Sequence, residues 1–155
     1  MTQERNFYKG VNMKITQIST FLENKKGRLY EVTELLGKNK INIRALTIAE
    51  SEDFGVLRMV VDNPKKALEV LKKNGFVSSF TDIIAVEVDD QPGGLSKILK
   101  TFNDNNVNVE YMYGFVEKAS DKALLVFRFD DTDKAITVLN KNKIKIVGTE
   151  GIENL

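Results

Sequence analysis

The chain has no cysteine, no histidine and only two prolines. Without cysteine there are no disulfides and no thiolate nucleophiles, and without histidine the usual imidazole acid-base catalyst is missing. Zinc sites built from these two residue types are excluded with them. No cofactor is expected. Biased tracts are also missing, and a composition of 42% hydrophobic and 29% charged residues packs a core rather than staying disordered. Charge of one sign is lacking too. The 23 Lys and Arg face 22 Asp and Glu, so no overall field draws in a nucleic-acid backbone or an anionic membrane. No window comes near the ~20 apolar residues of a membrane helix. The polar start from Met1 to Gly10 has no apolar stretch behind Arg5 and Lys9, so it reads as no secretory signal and a cytoplasmic location is expected.

What the sequence does contain is a repeat. Sliding the chain so that Gly27 meets Gly93 also superposes Ile18 on Ile84, Leu29 on Leu95, Asn39 on Asn105 and Asn42 on Asn108. After two extra residues in a hairpin turn, Leu57 meets Leu125, Asp62 meets Asp130, Ala67 meets Ala135, Leu71 meets Leu139 and Asn74 meets Asn142.

Within each copy the apolar period alternates between two and about 3.6, the signatures of half-buried strands and amphipathic helices. Ile84, Val86 and Val88 alternate as a strand, and Leu95, Ile98, Leu99 and Phe102 form a helical stripe. Asn39 and the Asn105-Asn106 pair tolerate the left-handed backbone that ends a helix. Hairpins are predicted over Ile41 to Ala49 with Val56 to Asp62, and over Val107 to Val116 with Ala123 to Asp130. Asn63-Pro64 and the acids from Asp131 to Asp133 mark the starts of second helices. Phe76 to Phe80 and Ile144 to Val147 supply last strands. The fold class is therefore α+β: two ferredoxin-like βαββαβ repeats, each an antiparallel sheet with its helices on one face. An extension over 1–12, a first repeat over 13–82 and a second over 83–155 are expected, with no Gly- or Pro-rich linker at the boundary.

In each copy a glycine turn joins the first strand to the first helix, as Glu23-Asn24-Lys25-Lys26-Gly27-Arg28-Leu29 and as Asp89-Asp90-Gln91-Pro92-Gly93-Gly94-Leu95. Glycine there admits a close ligand, and the free N–H groups of the helix start suit a carboxylate. An acid or amide just upstream, Asp90 or Asn24, suits an ammonium. The arrangement fits a zwitterionic amino acid. Asn42-Ile43 and Asn108-Val109, at the start of the second strands, are expected beside the turn. The helix is expected to return the chain to the same end of the sheet, where an Asn carboxamide could both donate and accept. Those Asn could equally bond local backbone.

The pattern Asp89-x-x-Pro92-Gly93-x-Leu95, followed by Val107-Asn108-Val109, resembles an ACT domain over most of Lys14 to Glu150. The resemblance implies an amino-acid-binding regulatory fold whose ligand sits at the first turn and the second strand, across a junction between two such domains. Carried over, the site residues are Asn24, Gly27, Arg28, Leu29, Asn42 and Ile43 in the first repeat. In the second they are Asp90, Gly93, Gly94, Leu95, Asn108 and Val109. Lys26 departs from the pattern, standing where the proline belongs.

The expected partners are an amino acid, a second copy of the chain as a homodimer and a metabolic enzyme acting in trans, with no nucleic acid and no membrane. Apolar walls such as Leu29, Ile43, Leu95 and Val109 lean towards an aliphatic or aromatic ligand. No phosphate-binding glycine motif or RNP1-like pattern is present, and an activity of its own is not expected. The Lys65-Lys66 and Lys72-Lys73 pairs and the run from Lys141 to Lys145 read as solvated faces. The competing reading is a ligand-free module that docks an enzyme partner.

Overall fold

The computed structural model describes residues 12–116 and 121–155. It divides into two compact units. One is Thr16–Thr81; the other is Asp82–Leu155 joined by residues 12–15. The elements are β1 (Ile15–Glu23), α1 (Arg28–Lys38), β2 (Ile43–Glu50), β3 (Phe54–Val61), α2 (Pro64–Lys73) and β4 (Ser78–Val88). They continue with α3 (Gly94–Asp104), β5 (Val109–Gly114), β6 (Ala123–Phe129), α4 (Thr132–Lys141), β7 (Ile146–Val147) and α5 (Thr149–Glu153). Each unit has the predicted βαββαβ order. In the first, strands lie β2-β3-β1 with the start of β4 next, and in the second β5-β6-β4-β7. The last strand of the first repeat and the first strand of the second are one strand, β4.

Strand register fixes which residues meet the helices. In the first unit Ile18 opposes Met59 and Thr20 opposes Leu57. Ile18, Leu22, Leu57, Met59 and Val61 form a core with Val32, Leu36, Ala67 and Leu71 from α1 and α2. The second unit repeats this with larger groups. Phe102 stands where the first has Leu36, and Phe127 and Phe129 where it has Met59 and Val61. Phe102 meets both other rings edge-on at 5.5 and 5.0 Å, and each of the three is fully buried. Such rings contribute through area and through edge-to-face geometry. On β5, beyond a register shift between Val109 and Tyr111, Met112 packs on the helix-side core and Tyr113, paired with Val126, is buried.

All four principal helices end in one way. Asn39, Asn74, Asn105 and Asn142 each donate a side-chain amide to the carbonyl four residues back, at 2.8–2.9 Å. The next residue, Lys40, Gly75, Asn106 or Lys143, takes a left-handed backbone. The one after returns its N–H to the last turn, as Ile41 does to Leu36, Phe76 to Leu71, Val107 to Phe102 and Ile144 to Leu139. This is the paired-bond C-terminal cap, and its hydrophobic partners belong to the two cores.

The short α5 was not predicted. It bonds back to the segment before β1: the Thr149 N–H donates to the Asn12 carbonyl at 3.2 Å and its hydroxyl to that of Lys14. Lys14 also pairs with Asp133 on α4 at 2.9 Å. Residues 13–15, expected to open the first repeat, are thus tied to the second unit.

Candidate functional site

The two kinds of helix in each repeat begin differently. Asn63 caps α2 by accepting the Lys66 N–H at 3.2 Å, and Asp131 caps α4 by accepting that of Lys134 at 3.0 Å. At α1 and α3 the capping positions are Gly27, φ 91°, and Gly93, φ 84°, and no side chain caps either helix. A left-handed φ is where glycine, lacking Cβ, carries little strain. The first N–H groups of a helix have no intrahelical partner and carry the positive end of its dipole. Both turns are therefore anion-friendly mouths.

The turns share their internal bonds. Lys25 donates to the Glu23 carbonyl as Gln91 does to that of Asp89, and Arg28 to Lys25 as Gly94 does to Gln91. They differ in one contact. A Cβ on Gly94 would run into the Asp89 carbonyl oxygen. Arg28 occupies the same place in the first turn, where its N–H sits 3.3 Å from its acceptor against 3.0 Å for Gly94.

At the first mouth a recess of about 200 Å³ brings together Asn24, Arg28 and Leu29 with Ile48 and Glu50. The Asn24 N–H bonds the Asp53 carbonyl at 2.9 Å and its side-chain amide reaches that of Glu52, leaving the amide oxygen to accept. Arg28 donates to Glu31 at 2.9 Å and to Glu23 at 3.1 Å, and Lys25 pairs with Glu23 at 2.8 Å. Lys25 and then Arg28 hold the Glu23 carboxyl below its ordinary value. Glu31 and then Glu23 keep Arg28 more firmly protonated. An incoming carboxylate thus competes with two resident ones for this guanidinium. At the second mouth Asp90 and Gln91 line a recess of about 220 Å³ with Asp121 and Lys122. Leu29 and Leu95 are both exposed beside their turns.

The other half of the expected site is not there. Glu23, at the end of β1, opposes Phe54, and Gly55 opposes Glu50 at the end of β2. Asn42 lies at the far end, its N–H accepted by the Asp62 side chain at 3.0 Å and its carbonyl accepting the Asp62 N–H. Asn108 and Asp130 repeat that pair. Counting seven residues along β3 at about 3.3 Å each puts roughly 23 Å between turn and Asn. The expectation that Asn42, Ile43, Asn108 and Val109 stand beside the turns of their own repeats is therefore corrected. One helix reverses the chain once, so it returns to where the first strand began. Ile43 and Val109 pack instead against the two cores. The residues that do face the first turn, Ile48 and Glu50, were missed. Strand register was the signal that would have found them.

Among the described residues no group of His, Cys, Asp and Glu is arranged to hold a metal ion, and no helix is long and apolar enough to cross a membrane. A protein of Bacteroides thetaiotaomicron, BT0572, is 42% identical to this chain, covering 92% of it and 98% of that protein, with a TM-score of 0.86. The regulatory subunits of aspartate kinase from Thermus thermophilus and Thermus flavus have a similar fold, with TM-scores of 0.60 and 0.57 at 14% and 13% identity. Each likeness covers 85% of this chain and 94% of the subunit. No curated protein matches the sequence. A family model described as an ACT domain pair matches residues 13–155, in keeping with two βαββαβ units that each open on a glycine turn, and the chain belongs to that family.

Proposed function

We infer that this ACT domain pair is a non-catalytic, cytoplasmic regulatory module that binds a small ligand, an amino acid, at its glycine turns. The observation that carries the reading is the contrast in capping: Asn63 and Asp131 close α2 and α4, while α1 and α3 start uncapped at Gly27 and Gly93. Their N–H groups receive the ligand carboxylate. Asn24 and Glu50 at one mouth, and Asp90 at the other, receive the ammonium. Exposed Leu29 and Leu95 give an aliphatic or aromatic side chain a wall to lie on. Asn42-Ile43 and Asn108-Val109 enter such a site only from another repeat, which a second copy of the chain supplies in a homodimer. The aspartate kinase subunits of similar fold are named as regulatory, and an enzyme partner in trans is read here likewise.

The test is a melting-point panel of the full chain with the twenty amino acids. A ligand at roughly one hundred times its Kd adds about 2.7 kcal/mol of stability, so at least one compound must raise the melting temperature. A flat response overturns the reading. It would favour the ligand-free docking module, for which the exposed Phe21, Phe54 and Val77 of the first unit, gathered round one groove, are the surface.

A further inference from the structure

The two repeats carry the same groove with opposite chemistry. It runs between the end of the first strand, the start of the first helix and the turn that follows the second helix. In the first repeat it measures about 320 Å³, is lined by Phe21, Phe54, Phe76 and Val77, and takes in Arg28. In the second it widens to about 450 Å³. Gly94 replaces Arg28 and removes its side chain. Lys97, Lys143 and Lys145 stand at the places of Glu31, Gly75 and Val77, so one acidic and two uncharged positions have become cationic.

The rim charges do not cancel. Lys145 lies 3.4 Å from Glu87 and Lys122 lies 3.4 Å from Asp89. Lys97 and Lys143 have no carboxylate partner among the described residues, and both are exposed on the rim. Beneath them the cleft reaches buried Val88 and Ile98 and half-buried Ile144, with Thr101 and Asn142 beside them. Lys143 holds its place on a left-handed backbone, φ 56°, where the first repeat uses glycine. The same angle recurs at Lys40 and Asn106, so it belongs to the helix ending, which fixes where the Lys143 side chain leaves the backbone.

We propose that this cleft of the second repeat binds a small organic anion with two or more negative charges, a dicarboxylate or a phosphate monoester, whose body rests on Val88, Ile98 and Ile144. Two unpaired ammonium groups attract a dianion and repel the ammonium of a zwitterion. The inference therefore goes beyond the amino-acid reading and stands without it.

The experiment is a titration of the ¹⁵N-labelled full chain, followed by amide shifts, with succinate in one arm and phenyl phosphate in the other. Succinamide is the uncharged control. The expected result is saturable shifts at Gly94, Lys97, Thr101, Lys143 and Lys145 with at least one dianion, none with succinamide, and none at the first-repeat counterparts Arg28, Glu31 and Gly75. The arm that saturates at lower concentration identifies the source. The double variant Lys143→Gly with Lys145→Val, which restores the first-repeat residues, weakens binding about tenfold without lowering the melting point. Lys97→Glu does the same from the other rim. The proposal is overturned if neither probe saturates, if both repeats shift alike, or if these variants bind as the parent does. An amino-acid response in the melting panel is read separately, so either idea can fail alone.

Discussion

Lys143 follows the last turn of α4 with φ 56°, at the position where the first repeat follows α2 with Gly75 at φ 85°. One backbone shape is thus made by glycine in one copy and by a strained lysine in the other. A left-handed non-glycine residue costs roughly 1 kcal/mol. Lys143→Gly and Lys40→Gly should each raise stability by about 0.5–1 kcal/mol in urea unfolding, less the flexibility glycine adds to the unfolded chain. A loss of stability in both would mean that the helix endings are not what holds these angles.

The glycines of the turns should respond unequally. Nothing lies within 4 Å of where a Cβ on Gly27 would sit, so Gly27→Ala incurs only the left-handed penalty, about 1 kcal/mol. Gly94→Ala drives a methyl group into the Asp89 carbonyl and must displace backbone, at a cost of about 2–3 kcal/mol or more. Chemical denaturation of the two variants ranks them.

Caps on the other helices set a third expectation. Asp131→Ala and Asn63→Ala each leave a helix N–H without its acceptor and should lower stability by about 1 kcal/mol. Because neither residue touches a glycine turn, any ligand response in the melting panel should survive both changes.

The Glu23 cluster gives a pH dependence whose sign follows from its lowered carboxyl. A folded-state value below the ordinary 4.5 means that the stabilisation is fully present above 4.5 and is lost as the pH falls through the folded value. The melting-temperature gap between the parent and Glu23→Gln should therefore be largest near neutral pH and close under acid. In Lys25→Ala the carboxyl, followed by ¹³C NMR, should titrate at higher pH than in the parent. A gap that persists unchanged in strong acid would assign the effect to packing.

The repeat, the element order and the caps at Asn63 and Asp131 were all legible in the residues, because periodicity and capping are local properties of the chain. Helix α5 was not legible: five residues are too few to show a helical period. The merging of two strands into β4 was visible only as the absence of a linker. The placement of Asn42 and Asn108 failed for a global reason, since which end of a sheet a residue occupies depends on the parity of chain reversals. The contrast between Lys97, Lys143 and Lys145 and their first-repeat counterparts was present in the sequence. It needed the groove to give it meaning.

Each sheet keeps its glycine turn and its asparagine corner roughly 23 Å apart, far more than one amino acid can bridge. On the proposed reading a lone polypeptide carries both halves of the address, yet it cannot fold one onto the other within a repeat. If two copies supply them jointly, affinity becomes a property of how concentrated the protein is. Dilute chains would be deaf to a metabolite that crowded ones hear, and the cell could set the sensitivity of such a sensor by abundance alone.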